Sequence, residues 1–534
     1  MTVDLWQRFQ ALYFQDASLG FSLDVSRVLW PSSFLEEMHS RVQDAFVQMQ
    51  ALEDGGVANP DEGRQVGHYW LRTPDRAPEE FREQILDGIR QVKSFAADIH
   101  EGRIRPPRAR RFKQFLLLGI GGSALGPQLA DHVLSGPGDP LRAFFIDNTD
   151  PDGFDRVMLE IGPDLNSTLI VVVSKSGETR ETRNAMIEVR KVHQAAGLSF
   201  ARHAVAVTGP GSSLDRLAQR QGWLRRFPLQ EWIGGRTSQT SVVGLLPAAL
   251  SGFDVTAFLD GARRMDELTR NRVVQENPSA LLALSWFHLT GGRGAKDMVI
   301  LPYKDRLAPL SRYLQQLVME SLGKEHDLEG RVVHQGITVY GNKGSTDQHA
   351  YVQQLRDGVP NFFVTFLQVL EDRAGGPVEI EPGVTSGDYL AGFLLGTRKA
   401  LFEKGRESLT ISVPRLDETS LGAIIALFER AVGFYASLVG VNAYHQPGVE
   451  AGKKAAGEII TLQVHVLGRL RANPGKGFTV EELAEALGAP EAAESIFHIL
   501  THLAANPGRG IRREAGSTPF TARYLFTDQP DPGP

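Results

Sequence analysis

The sequence predicts an α/β protein: two doubly wound parallel sheets in tandem, each an αβα sandwich, with a helical segment before them and a small winged-helix-like appendage after. Three observations predict it. Short apolar runs end in Gly or hydroxyl residues and lead into helical periodicity, the alternation of a parallel sheet with crossover helices. That pattern occurs in two separate blocks. After residue 470 the style changes again, to two helical stretches and a hairpin.

Taken in order, residues 1–105 read as a helical N-terminal segment. From Pro78 to Ala97, Phe81, Ile85, Ile89, Val92 and Phe95 recur at three and four, and the run stops before RPPRARR. Residues 106–275 form the first sheet domain, with FLLLGIGGSALGP, RAFFIDNTD, TLIVVVSKSGETRETRNA and HAVAVTGPGSSLDRLA as successive strand-to-helix units. Residues 276–470 form the second, with DMVILPYK, VVHQGITVYG, NFFVTFLQVL and LTISVPRL. Residues 471–534 are the appendage.

Composition narrows the function class. The chain has 534 residues, 42% hydrophobic and 22% charged, with a net charge of -6. That is ordinary globular composition, and the acidic balance offers no general attraction to nucleic acid or anionic membranes. Any bound anion needs locally supplied positive potential. With no cysteine, disulfides, thiolate nucleophiles and Cys-ligated metal sites are excluded. The N-terminus carries acidic and polar residues where a signal peptide would run apolar. No window of about 18 apolar residues is expected, so the chain reads as cytoplasmic and free of membrane.

Two loops could hold a ligand. GIGGSALG, from Gly119 to Gly126, follows a strand and opens a helix, so N–H groups near Gly122 and Ser123 can face an anionic or hydroxyl-rich ligand. It also fits a dinucleotide pattern through Gly119, Gly121 and Ala124, with Asp147 ending the next strand. SKSGETRET places Ser174, Ser176, Thr179 and Thr182 around Lys175. Hydroxyls and N–H groups converging at a helix start can hold a phosphate dianion, although Ser and Thr there also cap helices. Walker A spacing is absent, which points to a monophosphate.

Together these loops resemble the sugar isomerase fold, and further motifs narrow the likeness. IGGRTSQTSVVG (Ile233 to Gly244), QQLVMESLGK (Gln315 to Lys324), GNKGSTDQHAYVQ (Gly341 to Gln353) and AYHQPGVEAGK (Ala443 to Lys453) are similar, in order, to the motifs of phosphoglucose isomerases. The resemblance spans residues 119 to 453 and implies a cofactor-free, metal-free aldose-ketose isomerase acting on glucose 6-phosphate and fructose 6-phosphate. It further implies a cytoplasmic homodimer whose active site is shared between subunits.

The chemistry can then be laid onto residues. Glu320, at the edge of the apolar stripe of Leu310, Tyr313, Leu314, Leu317 and Val318, is the expected base. A carboxylate half inside an apolar face suits a base that must also act as an acid. Arg236, behind two glycines, offers a fixed positive charge for an enediolate. The resemblance assigns ring opening to His349 and Lys453, and substrate hydrogen bonds to Gln316 and Gln446. Three positions depart from the family pattern. Thr237 stands where an aromatic residue is usual, Ser176 where Thr is common, and His445 where an acidic or amide residue is frequent. Thr237 and His445 bear on substrate preference, including any activity on mannose 6-phosphate.

The appendage has six basic and eight acidic residues between 471 and 534. Its would-be recognition helix, from Glu491 to Leu503, has no Lys or Arg, so nucleic acid is not an expected partner. Two rival readings remain at this level. One is a phosphosugar sensor, which would not need Glu320, Arg236, His349 and Lys453 together. The other is an oxidoreductase, which would bind a dinucleotide at Gly119 to Ala124.

Overall fold

In a computed structural model, which describes residues 5–506 and 508–527, the two apolar blocks form two sheets. The first has the spatial order Arg142–Ile146, Gln114–Leu118, Thr168–Val173, Ala204–Thr208, Arg225–Pro228, parallel throughout. Its central strands are buried on both faces because side chains alternate along a strand. Phe115, Leu117, Leu169 and Val171 enter one core, while Leu116, Leu118, Ile170 and Val172 enter the opposite one. Strands Gln114–Leu118 and Thr168–Val173 are neighbours whose connections leave in opposite directions, so a crevice opens beyond their C-terminal ends. Both ligand loops begin there.

The second sheet runs Tyr13–Asp16, Phe21–Arg27, Ser408–Val413, Phe362–Val369, Asp297–Pro302, Val339–Tyr340. Its last four strands are parallel, in the same relative order as the first four of the other sheet. The N-terminal segment departs from the helical expectation. Phe21–Arg27 joins Ser408–Val413 antiparallel and turns back on Tyr13–Asp16 as a hairpin. Phe21, Leu23 and Val25 are nearly inaccessible in that sheet. The partner strand lies almost the whole domain away in sequence, so no local pattern announces it. The expected helix nearby forms over Glu79–His100.

The helices Glu418–Val439 and Val255–Thr269 cross through two glycines. A Cβ on Gly261 would stand 2.0 Å from the Thr419 carbonyl, and one on Gly422 would stand 2.0 Å from that of Phe258. Glu418–Val439 also corrects the expectation about apolar windows. It is the one described helix long and apolar enough to cross a membrane, with a mean hydropathy of 1.5 and 89% of the window buried. Glu429 and Arg430 in its middle are held by ion pairs, the placement of a core helix.

The chain divides into two compact units between His445 and Gln446, rather than at 470. Helix Pro447–Arg471 belongs with the appendage because Val466, Leu467 and Leu470 enter the same core as Leu483, Ile496, Leu500 and Tyr524. That unit otherwise comprises helices Val480–Ala486 and Ala493–Ala504 and the hairpin of Ile511–Glu514 with Arg523–Phe526. The last residues of the expected appendage, 528–534, lie outside the described residues.

Candidate active site

The loop after Gln114–Leu118 turns through Gly121, whose φ of +57° is left-handed and favours glycine. Gly122 then lies flat against another loop: a Cβ there would come within 2.0 Å of the Gly235 carbonyl oxygen. The Ser238 hydroxyl donates toward both the Gly122 and Gly235 carbonyls, at 3.1 and 2.7 Å. Glycines at these points let two backbones touch, so Arg236, the next residue, is held beside the mouth of the crevice. Asp147, the acid a dinucleotide ribose would need, is already bonded by Gln128 at 3.0 Å and Arg312 at 3.1 Å.

The hydroxyl-rich loop leaves the adjacent strand. Ser174 is buried; its hydroxyl donates to Thr179 Oγ1 at 3.0 Å and accepts from the Gly177 N–H at 3.1 Å. Ser176 is exposed and accepts from the Glu178 N–H at 3.1 Å. Thr179 stands at the N-cap of helix Arg180–Ala195, yet its side chain makes no capping bond. Capping therefore does not account for its hydroxyl. Lys175 reaches away from the loop: its ammonium donates to the carbonyls of Glu231 at 2.5 Å and Ile233 at 3.0 Å, tying this loop to the one that carries Arg236.

The stretch expected as one helix from Leu310 onward starts as an α-helix over Leu310–Leu314 and then widens into a π-helix over Gln315–Glu320. Such widened turns are rare and gather at functional sites. Gln316 faces the glycine loop, its Nε2 lying 3.1 Å from where a Cβ on Gly121 would be. Glu320 Oε2 lies 3.5 Å from Arg236 Nη1; the side chains are 22% and 5% exposed. Arg236 also donates to the His445 carbonyl at 3.1 Å. Burial pulls the Arg236 guanidinium below its ordinary value, opposed by Glu320 and Tyr444. The pair places a partly exposed carboxylate beside a desolvated guanidinium, which is what proton transfer next to a developing oxyanion requires.

Residues from three distant motifs thus meet: Gly122, Arg236 and Glu320, with Gln316 alongside. His349 stands elsewhere, exposed on the short turn Thr346–His349. Gln446 and Lys453 are exposed in the unit that begins at Gln446. Sequence reading missed Lys324 and Asp61. Lys324, only 5% exposed, donates to the carbonyls of Glu320 and Ser321, both at 2.8 Å. Asp61 accepts from Asn442 at 2.5 Å and lies 3.5 Å from His445 Nε2. Lys324 closes the motif QQLVMESLGK, which was the available signal; Asp61 had none.

The family model for phosphoglucose isomerase matches residues 25–380 and 394–466. The glucose-6-phosphate isomerase of Geobacter sp. (strain M21) is 61% identical over 494 residues, covering 92% of this chain and 93% of that protein. That of Geotalea daltonii is 57% identical over 523 residues, 98% of this chain and 99% of its own, and so extends through most of the appendage. Among solved structures, a glucose-6-phosphate isomerase from Chlamydia trachomatis superposes with a TM-score of 0.77 at 27% identity, covering 86% of this chain and 91% of that one. A hypothetical protein from Thermus thermophilus superposes with a TM-score of 0.67 at 29% identity, covering 82% and 99%.

Proposed function

The chain belongs to the phosphoglucose isomerase family, and from that membership we propose how its residues divide the reaction. It is an isomerase that interconverts glucose 6-phosphate and fructose 6-phosphate. Ser174, Ser176 and Thr179, with the Lys175 main chain and the N–H groups at Gly122 and Ser123, hold the phosphate and sugar hydroxyls. The Thr179 hydroxyl, bonded by Ser174 at a helix start but making no capping bond, supports this. Glu320 takes the proton from C2 of the open-chain aldose and returns it to C1, leaving an enediolate between the two transfers. Arg236 faces that intermediate with a charge that does not titrate. The observation that carries this assignment is the Glu320–Arg236 approach of 3.5 Å at the end of a π-turn, beside the glycine loop.

Ring opening needs a proton delivered to the ring oxygen and one removed from the C1 hydroxyl. His349 and Lys453 are the groups for this step, and Gln316 and Gln446 bond substrate oxygens. His349 acts from a second copy of the chain. The exposed aromatic pair one turn apart on helix Ser386–Phe402 supports a homodimer: Tyr389 and Phe393 are 40% and 44% exposed. Gln348 donates to the Phe393 carbonyl at 3.2 Å, so the turn carrying His349 is tied to that helix. The place of action is the cytoplasm, and neither nucleic acid nor membrane takes part.

A coupled assay of fructose 6-phosphate conversion, with EDTA and without added cofactor, tests the assignment. Wild type turns over, and Glu320→Gln loses at least ~100-fold in kcat, the scale of a missing general base. A variant within a few-fold of wild type removes Glu320 from the role.

A further inference from the structure

Lys324 is a buried ammonium with no carboxylate bonded to it among the described residues. Its two hydrogen bonds go to the carbonyls of Glu320 and Ser321, the last residue of the π-turn and the one after it. Carbonyls at the end of a helix have no partner within the helix, and Gly323 with the strand Lys324–His326 begins at once. Burying a charge to satisfy two neutral acceptors is a costly way to close a helix, since a glycine turn or water serves elsewhere. The charge itself is what distinguishes this closure. The groups facing it are Arg236, Glu320, Asp61 and His445, the same groups that surround the reacting pair.

We propose that Lys324 is a positioning residue for Glu320, its ammonium holding the end of the π-turn so that the carboxylate stays directed at Arg236. This rests on Glu320 being the base. Hydrogen bonds from a charged donor are roughly twice as strong as neutral ones, so the hold depends on the proton. Burial and the nearby Arg236 push Lys324 down to about 7, against Glu320 and Asp61. As pH rises through that value the ammonium becomes an amine, both bonds weaken, and kcat falls several-fold on the alkaline side.

The experiment is kcat and KM across pH for wild type, Lys324→Met and Lys324→Arg, with thermal melts of each. Lys324→Met is expected to lose ~10-fold or more in kcat with KM within about twofold, because the base and not phosphate binding is displaced. Lys324→Arg keeps a charged donor that can span two carbonyls; it restores most of kcat at neutral pH and its profile stays flat where wild type declines. A Met variant with wild-type kcat, or an Arg variant with the same alkaline limb as wild type, overturns the proposal. If Lys324→Met does not fold, the Arg profile alone decides. An inactive Glu320→Gln beside an unchanged Lys324→Arg profile sinks only this inference, whereas an active Glu320→Gln sinks the reading beneath it.

Discussion

Two groups of charges reach Tyr444, which feels both Arg236 and the pair Arg430 and Glu429. In one group Arg72 meets Asp266 at 2.6 and 2.8 Å and Glu429 at 2.5 Å, Arg430 meets Asp266 at 3.0 Å and also Glu53, and Arg270 meets Glu53 at 2.8 Å. Three guanidinium groups and three carboxylates close on one another with almost no exposure. In the other group Arg236 and Glu320 stand at 3.5 Å, with Glu320 partly exposed and Lys324 bonded to two carbonyls. The first group has the geometry that lets buried ions coexist. The second pairs its charges at longer range and keeps the carboxylate partly exposed, an arrangement suited to stabilising charge that appears only during a reaction.

The comparison breaks most sharply at Asp266. Asp266→Ala leaves Arg72 and Arg430 without their shared acceptor, an expected loss of roughly 3 to 5 kcal/mol in denaturant unfolding, while activity per folded molecule stays close to wild type. Retained stability would mean that the network is not what holds helices Val255–Thr269 and Glu418–Val439 together. Arg236→Met should do the reverse. We expect kcat to fall by ~100-fold or more, about 2.7 kcal/mol, with unfolding free energy within about 1 kcal/mol of wild type, because Glu320 is exposed enough to be rehydrated. A large loss of stability there would erase the distinction between the two groups.

The smallest effect sharpens the comparison from inside the network. Burial pushes Glu429 up to about 7 from an ordinary 4.5, even with Arg72 beside it. Its Oε1 makes no hydrogen bond among the described residues. The folded protein then holds a proton there that the unfolded chain releases between about pH 4.5 and 7, so this group's contribution is full below that window and declines as pH rises through it. Glu429→Gln should lie within about 1 kcal/mol of wild type at neutral pH. Its unfolding free energy should also lack the part of the decline that Glu429 causes. Identical pH slopes for the two proteins would show Glu429 ionised throughout, and the network fully charged.

Much of the molecule was legible before folding. FLLL and TLIVVV are apolar at nearly every position, which only a strand covered on both faces tolerates, and both proved central in the first sheet. The loops at their ends were readable because glycine and hydroxyl residues answer local backbone needs, whereas Arg236 and Glu320 were singled out only once the motif resemblance was in hand; the structure sets them 3.5 Å apart. The strand Phe21–Arg27 was not readable, since its partner is Ser408–Val413 and pairing across such a separation leaves no local trace. His349 was named by motif alone, and it is exposed on the short turn Thr346–His349.

The sequence by itself therefore determined the parallel sheets and the glycine-rich and hydroxyl-rich loops at their ends, because periodicity and residue chemistry are properties of short stretches. Only the tertiary structure decided that Lys324 would close the π-turn and that Asp266 would gather two arginines from helices and loops far apart. It also decided which ions would join the close buried network and which the longer pair. Those outcomes depend on desolvation and on distances between segments, and neither quantity exists until the segments are packed.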